Sequence, residues 1–195
     1  DETVTGFRYS LGGAQELFRI TPDLATFGKG IANGYPLSAI VGSDKIMQKM
    51  EDVFFSGTFG GETLSLAAAN AVIDKHKNYD VIGHFVTIGK YLIKQLQELL
   101  DEKDLNDIFI VAGHPSWSFL QIKQQVGYTT FEIKTLFLQE VFKRGILTLG
   151  SHNISFSHTK EDIDKLIFVY TEVLPMVKQH ICNQTLLENI HAKVL

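Results

Sequence analysis

The sequence predicts an α/β part followed by a smaller α+β part, and two observations predict it. Two short β-prone segments come before two long helical segments in the first part of the chain. After a charged break near residues 102–107, two apolar or alternating runs joined by a tight turn are typical of an antiparallel hairpin. We therefore expect one domain over 1–104 and a second over 105–195.

In the first part, residues 22–27 are partly β-prone and end in a glycine-containing loop, and a second strand is predicted over 37–41. A short helix is predicted over 45–50. Small side chains suited to close packing favour a helix over 64–76. Apolar residues then recur with a period near 3.6 over 81–100, which predicts a long amphipathic helix.

In the second part, the hairpin strands are predicted over 108–112 and 117–122. A helix over 131–144 ends at a glycine, which is a favourable residue just beyond a helix C-terminus. A further strand is predicted over 153–157. The last helix is predicted over 159–178, because a Thr-x-x-Asp sequence is a typical N-terminal capping box.

The composition excludes several classes of protein. The 195 residues are 45% hydrophobic, which is enough to bury a core. With 18 basic and 22 acidic residues and no basic run, nucleic acid is not an expected partner. The longest uncharged stretches, 30–43 and 108–122, are interrupted by polar or helix-breaking residues, so we expect no membrane span.

Cysteine and histidine usage narrows the chemistry further. A single cysteine, Cys182, excludes an internal disulfide framework and a cysteine zinc cluster, and it favours a reducing compartment. We therefore predict a cytoplasmic location. The seven histidines lack the spacing of a metal-ligand set, so we expect no metal site.

One lysine has neighbours that suit covalent chemistry. Lys29 lies between Gly28 and Gly30 at a predicted strand end, where a backbone without side chains can approach a ligand closely. A lysine amine forms a Schiff base once burial or a nearby cation favours its loss of a proton. Taken alone, however, this tripeptide is more often an ordinary solvated loop, and both interpretations stay open on these residues.

Two further segments carry weaker signals. Asp1 precedes a glycine-containing loop; it is by default an exposed acid, but beside a pyridine nitrogen it would keep that nitrogen protonated. The glycine-rich run at 57–61 contains Thr58 and precedes a helix, so it could hold a phosphate or only cap the helix. Because Lys29 is not followed by Ser or Thr, a nucleoside triphosphate loop is disfavoured.

Together and in this order, three blocks resemble the class III, fold type I, pyridoxal-phosphate-dependent aminotransferases, most closely the glutamate-1-semialdehyde aminomutase-like branch. The blocks are DETVTGFR at 1–8 with GGAQ at 12–15, PDLATFGKGIANGYPL at 22–37, and GTFGGE at 57–62. Their combined spacing is far more specific than any single block. The resemblance implies an α/β fold: the C-terminal part of a fold type I large domain plus a small α+β C-terminal domain.

The resemblance also implies a role for each matching residue. Lys29 matches the catalytic lysine that forms a Schiff base with pyridoxal 5'-phosphate and then moves protons at the substrate carbon. Asp1 matches the aspartate paired with the pyridinium nitrogen, and Thr3 replaces the usual valine packed under the ring. Thr58 matches the threonine that reaches the cofactor phosphate of the neighbouring subunit. A homodimer with sites shared across its interface is therefore expected.

The predicted activity is transfer of an amino group between a small-molecule donor and a small-molecule acceptor. Intramolecular transfer, as in glutamate-1-semialdehyde 2,1-aminomutase, is the alternative within enzymes. A non-catalytic interaction module derived from this fold is the alternative outside them, although the joint presence of Lys29, Asp1 and Thr58 argues against it. Since the first half of such enzymes lies upstream of these blocks, we expect a C-terminal fragment that does not catalyse alone.

Overall fold

The computed structural model describes all 195 residues, which divide into two compact units, Asp1–His84 and Phe85–Leu195. The division falls within one long helix, because the leucines of its later turns belong to the apolar core of the second unit. The boundary predicted after residue 104 concerns the domains of a whole enzyme and stays a prediction. None of the helices combines the length and apolar character needed to cross a bilayer.

The first unit contains a two-stranded antiparallel sheet and short and long helices. Its elements are α1 (Ala14–Leu17), β1 (Leu24–Phe27), β2 (Ala39–Gly42), α2 (Asp44–Met47) and α3 (Thr63–Asn78). The two strands pair from Leu24 opposite Gly42 to Phe27 opposite Ala39. Both strands and the long helix lie where the sequence predicts them, whereas α1 has no counterpart among the predicted elements.

The second unit packs helices against a three-stranded antiparallel sheet of order β3-β4-β5. Its elements are most of α4 (Val81–Glu102), then β3 (Phe109–His114), β4 (Trp117–Ile122), α5 (Thr130–Lys143), β5 (Ser151–Asn153) and α6 (Lys160–Cys182). The predicted hairpin and the three helices are confirmed.

The strand predicted over 153–157 is misplaced. The pairing of β5 with β4 ends at Asn153 opposite Trp117. The next residue, Ile154, is buried, and the chain then turns towards Thr159, the N-cap of α6. The apolar character of this stretch therefore reflects one core side chain rather than a continuing strand.

Candidate functional site

Lys29 lies in a strained turn directly after β1. It begins a 3₁₀ turn over Lys29–Ile31, and its φ of 42° lies in the left-handed region. That conformation costs a residue with a Cβ about 1 to 2 kcal/mol, and strain of this kind concentrates at functional sites. The Lys29 carbonyl accepts a hydrogen bond from the Asn33 amide at 2.9 Å, which helps to hold the turn, and the side chain is exposed.

The first residues of the chain pack on this turn. A Cβ added to Gly28 would lie 3.2 Å from Thr3 Cγ2, and one added to Gly30 would lie 3.2 Å from the Gly6 carbonyl oxygen. Such contacts are tighter than ordinary van der Waals contacts, so both glycines permit a close approach. Two blocks that are separate in sequence therefore meet at the turn that carries Lys29.

The Asp1 side chain is directed by two donors from the same surroundings. Its Oδ1 atom accepts a hydrogen bond from the Thr3 amide at 2.8 Å and another from the Thr26 hydroxyl at 3.1 Å. Thr26 lies in β1, the strand that leads into the Lys29 turn. The structure therefore brings Asp1, Thr3 and the backbone around Lys29 into one region, which we call the lysine-turn cluster.

Glu2 anchors this cluster, although the sequence did not single it out. It is only 5% exposed, and its carboxylate accepts hydrogen bonds from the Thr5 hydroxyl, the Ala14 amide at 2.7 Å and the Gln15 amide at 2.8 Å. Burial alone would raise the pKa of Glu2, but the bonds from Thr5, Gln15 and Ala14 outweigh it and lower that pKa.

Glu2 also explains why α1 begins where it does. The N-cap of this helix is Gly13, which has no side chain, so the carboxylate of Glu2 satisfies the first amides instead. Gly13 has a φ of 85°, and a Cβ on it would overlap the Glu2 carboxylate. The glycine pair at 12–13 is the one sequence signal that could have indicated this contact.

Thr58 lies on the exposed loop before α3, and its side chain forms no hydrogen bond with Asp1, Thr3 or Lys29. The N-terminus of α3, where a phosphate was one expectation, is occupied by the chain itself. The Glu62 carboxylate accepts from the Leu64 amide at 2.8 Å and from the Ser65 amide at 2.6 Å. The helix end is therefore capped by a carboxylate that also satisfies its positive dipole.

Solved structures of transaminases share this fold. The FumI protein of Sphingopyxis sp. MTA144, in its PLP internal aldimine form, matches with a TM-score of 0.83 and 23% identity, covering 93% of this chain and 43% of that chain. An omega-transaminase from Sphaerobacter thermophilus matches with a TM-score of 0.77 and 21% identity, covering 91% and 44%. The predicted α/β fold of a fold type I transferase is confirmed.

The sequence itself carries the assignment to a family. The sequence model of the Aminotransferase class-III family matches residues 1–167, so the chain belongs to that family. Members of the family depend on pyridoxal phosphate. The expected resemblance is thereby confirmed.

The curated relatives include one named as an aminotransferase and others named as aminomutases. The chain is 31% identical over 182 residues to the 3-aminobutyryl-CoA aminotransferase of Cloacimonas acidaminovorans, covering 92% of this chain and 44% of the relative. It is 30% identical over 191 residues to the glutamate-1-semialdehyde 2,1-aminomutase of Methanosarcina acetivorans, covering 89% and 44%. The chain thus spans less than half the length of these relatives, which is consistent with the expected fragment.

Proposed function

We propose that this chain is the C-terminal part of a pyridoxal-phosphate-dependent enzyme that transfers an amino group between a small-molecule donor and a small-molecule acceptor. The observation that carries the proposal is the packing of Thr3 and Gly6 on the glycines beside Lys29. This packing brings the segment that carries Asp1 and Thr3 against the turn that carries the Lys29 amine. An amine, a carboxylate and a small side chain are the groups that the cofactor's aldehyde carbon, ring nitrogen and ring face require, so the residues present fit it.

Lys29 is the proposed catalytic residue. Its amine would hold the cofactor covalently and, when free, would move a proton at the substrate carbon that bears the amino group. The left-handed turn directs an exposed side chain from a backbone held by the bond between the Asn33 amide and the Lys29 carbonyl. Pre-organisation of this kind keeps a nucleophile in position without a large loss of entropy on binding.

Asp1 and Thr3 are the residues proposed to hold the pyridine ring of the cofactor. When bound, pyridoxal phosphate supplies an electron sink for the negative charge that develops at the substrate carbon. The Asp1 carboxylate keeps the proton on the ring nitrogen, which strengthens that sink. Thr3 packs against Gly28 through its methyl group, and we propose that it supports the ring as the usual valine would.

Thr58 is proposed to serve the partner subunit's site, where its hydroxyl reaches the cofactor phosphate. Its neighbours support a buried position in a homodimer: Phe54 is 97% exposed, Phe55 is 67% exposed and Phe59 is 55% exposed in the single chain. Exposure of apolar side chains of this size to water is unfavourable. Exposed groups of such side chains therefore mark interaction sites. A second copy of the chain is the proposed occupant.

Intramolecular transfer of an amino group is the second candidate function. It is favoured by several relatives that are named glutamate-1-semialdehyde 2,1-aminomutase and are up to 33% identical to this chain. None of the relatives cited above favours the alternative of a non-catalytic interaction module. We also propose a cytoplasmic location, which the single, exposed Cys182 supports.

Covalent trapping of the cofactor tests the proposal. The full-length protein is incubated with pyridoxal phosphate and reduced with borohydride, and the modified residue is identified by peptide mass spectrometry. We expect the label on Lys29 and its loss in Lys29→Ala. The matched control is Lys45→Ala, which removes another exposed lysine of the same unit and should leave the label unchanged.

Trapping that persists in Lys29→Ala, or that is absent from the unmodified protein, would refute the assignment. Half-reactions then separate the two candidate functions. A transaminase releases a keto product when it is given an amino donor alone, whereas an aminomutase converts one substrate into its isomer without a second substrate.

A further inference from the structure

A hydroxyl group outside the predicted site residues contacts one of them. Thr26 in β1 donates a hydrogen bond from Oγ1 to Asp1 Oδ1 at 3.1 Å. The Thr26 carbonyl also accepts the Glu2 amide at 2.7 Å. One residue of β1 therefore binds both the side chain of Asp1 and the backbone directly after it.

The two donors to Asp1 act on the same oxygen. Both the Thr3 amide and the Thr26 hydroxyl donate to Oδ1, and no group of this chain donates to Oδ2. The carboxylate is therefore fixed in rotation by Oδ1, while Oδ2 keeps its lone pairs for another partner. A carboxylate held in this way presents its second oxygen to a further donor.

Glu2 makes this arrangement rigid. Its buried carboxylate ties the residue after Asp1 to the start of α1 through the Ala14 and Gln15 amides. The main chain of the Asp1 segment is thus held on one side by α1 and on the other by Thr26. The Thr26 hydroxyl is the only side-chain donor that then directs the Asp1 carboxylate.

We propose that Thr26 is a positioning residue for Asp1, which it orients so that Oδ2 accepts a hydrogen bond from the protonated ring nitrogen of the cofactor. The inference rests on the proposed function, because it concerns the partner of Asp1 in that site. In this role Thr26 acts through the Asp1 carboxylate. Its effect therefore requires a ring nitrogen, and this requirement distinguishes positioning from a general effect on folding.

Cofactor binding to the full-length apoenzyme tests the role of Thr26. The dissociation constant is measured for pyridoxal phosphate and for 1-deazapyridoxal phosphate, whose ring carries a C–H in place of the nitrogen. Thr26→Val removes the hydroxyl at nearly constant shape and keeps β propensity, and Thr26→Ser retains the hydroxyl. Thr26→Val leaves the Asp1 carboxylate less well oriented towards the ring nitrogen. Binding of pyridoxal phosphate should then weaken by about the net contribution of one ordinary hydrogen bond, which is about fivefold.

Thr26→Ser should bind pyridoxal phosphate as the unmodified protein does, and the deaza analogue should bind equally well to all three proteins. Equal weakening of both ligands in Thr26→Val, or no weakening of either, would overturn the proposal while covalent trapping on Lys29 still supports the proposed function. If the unmodified protein binds no cofactor, the proposed function and the proposed role of Thr26 are both refuted. Should Thr26→Val fail to fold, Thr26→Ala provides the same comparison.

Discussion

Acid should destabilise the second unit through one buried histidine, His152 in β5. It is 5% exposed, with Nδ1 3.1 Å from the Ser118 hydroxyl and Nε2 3.1 Å from the Tyr170 hydroxyl. A neutral imidazole offers one donor and one acceptor, so these two hydroxyls satisfy it completely. Burial lowers the pKa of His152 to about 4, because the charged form loses hydration that nothing nearby replaces.

The sign and size of the effect follow from linkage. In the unfolded chain the pKa of a histidine is about 6.5, so the proton binds the unfolded state more tightly than the folded one. Stability is therefore fully present above pH of about 6.5 and is lost as the pH falls towards about 4. One pKa unit corresponds to about 1.4 kcal/mol, so the free energy of unfolding should fall by about 2 kcal/mol between pH values of about 7.5 and 5.

Urea unfolding followed by tryptophan fluorescence measures this change. Trp117 is the single tryptophan of the chain, and it precedes Ser118 in β4. The matched variant is His152→Gln, which stays polar but does not titrate. Burial also lowers the pKa values of His76 and His114, and these groups remain in both proteins, so the difference between the two pH profiles isolates His152. Parallel profiles from pH of about 7.5 to 5 would refute the reasoning.

Two substitutions test local features of the fold by thermal or urea unfolding. Gly13→Ala combines a left-handed φ of 85° with overlap of the Glu2 carboxylate, so it should destabilise the protein. We expect the free energy of unfolding to fall by about 2 to 4 kcal/mol. The control is Gly61→Ala, because a Cβ at position 61 meets nothing within 4 Å. Equal losses in the two variants would contradict the argument. Thr159→Ala removes the side chain that accepts from the Asp162 amide in the capping box of α6. It should lower stability by about 1 kcal/mol, with Thr159→Ser unchanged, whereas an unchanged Thr159→Ala would show that the cap contributes nothing measurable.

The elements that could be predicted are those whose signal lies within the element. The helix α4 was predicted from apolar residues at a period near 3.6, and the hairpin of β3 and β4 from two runs around a tight turn. The helix α1 has only four residues and no capping side chain of its own. It depends on the carboxylate of Glu2, which lies far away in sequence and carries no periodic signal.

The candidate site likewise contains features that the sequence could predict and features that it could not. The roles of Lys29, Asp1, Thr3 and Thr58 were predicted because these residues belong to blocks with a recognisable order, and those roles stay predictions. The contact between Thr26 and Asp1 could not be predicted, since a hydrogen bond between two separate segments leaves no pattern in the spacing of residues. The Glu62 cap was missed because the residues preferred at helix N-caps are Ser, Thr, Asp and Asn.

The glycines beside Lys29 have a different purpose from the one that the tripeptide suggests. One interpretation of the tripeptide was a bare backbone that a ligand could approach, yet the groups that approach Gly28 and Gly30 are Thr3 and the Gly6 carbonyl of the same chain. The left-handed conformation falls on Lys29 and not on either glycine. The flanking glycines therefore let the Asp1 segment contact the lysine turn, and a side chain at position 28 would press on the methyl group of Thr3.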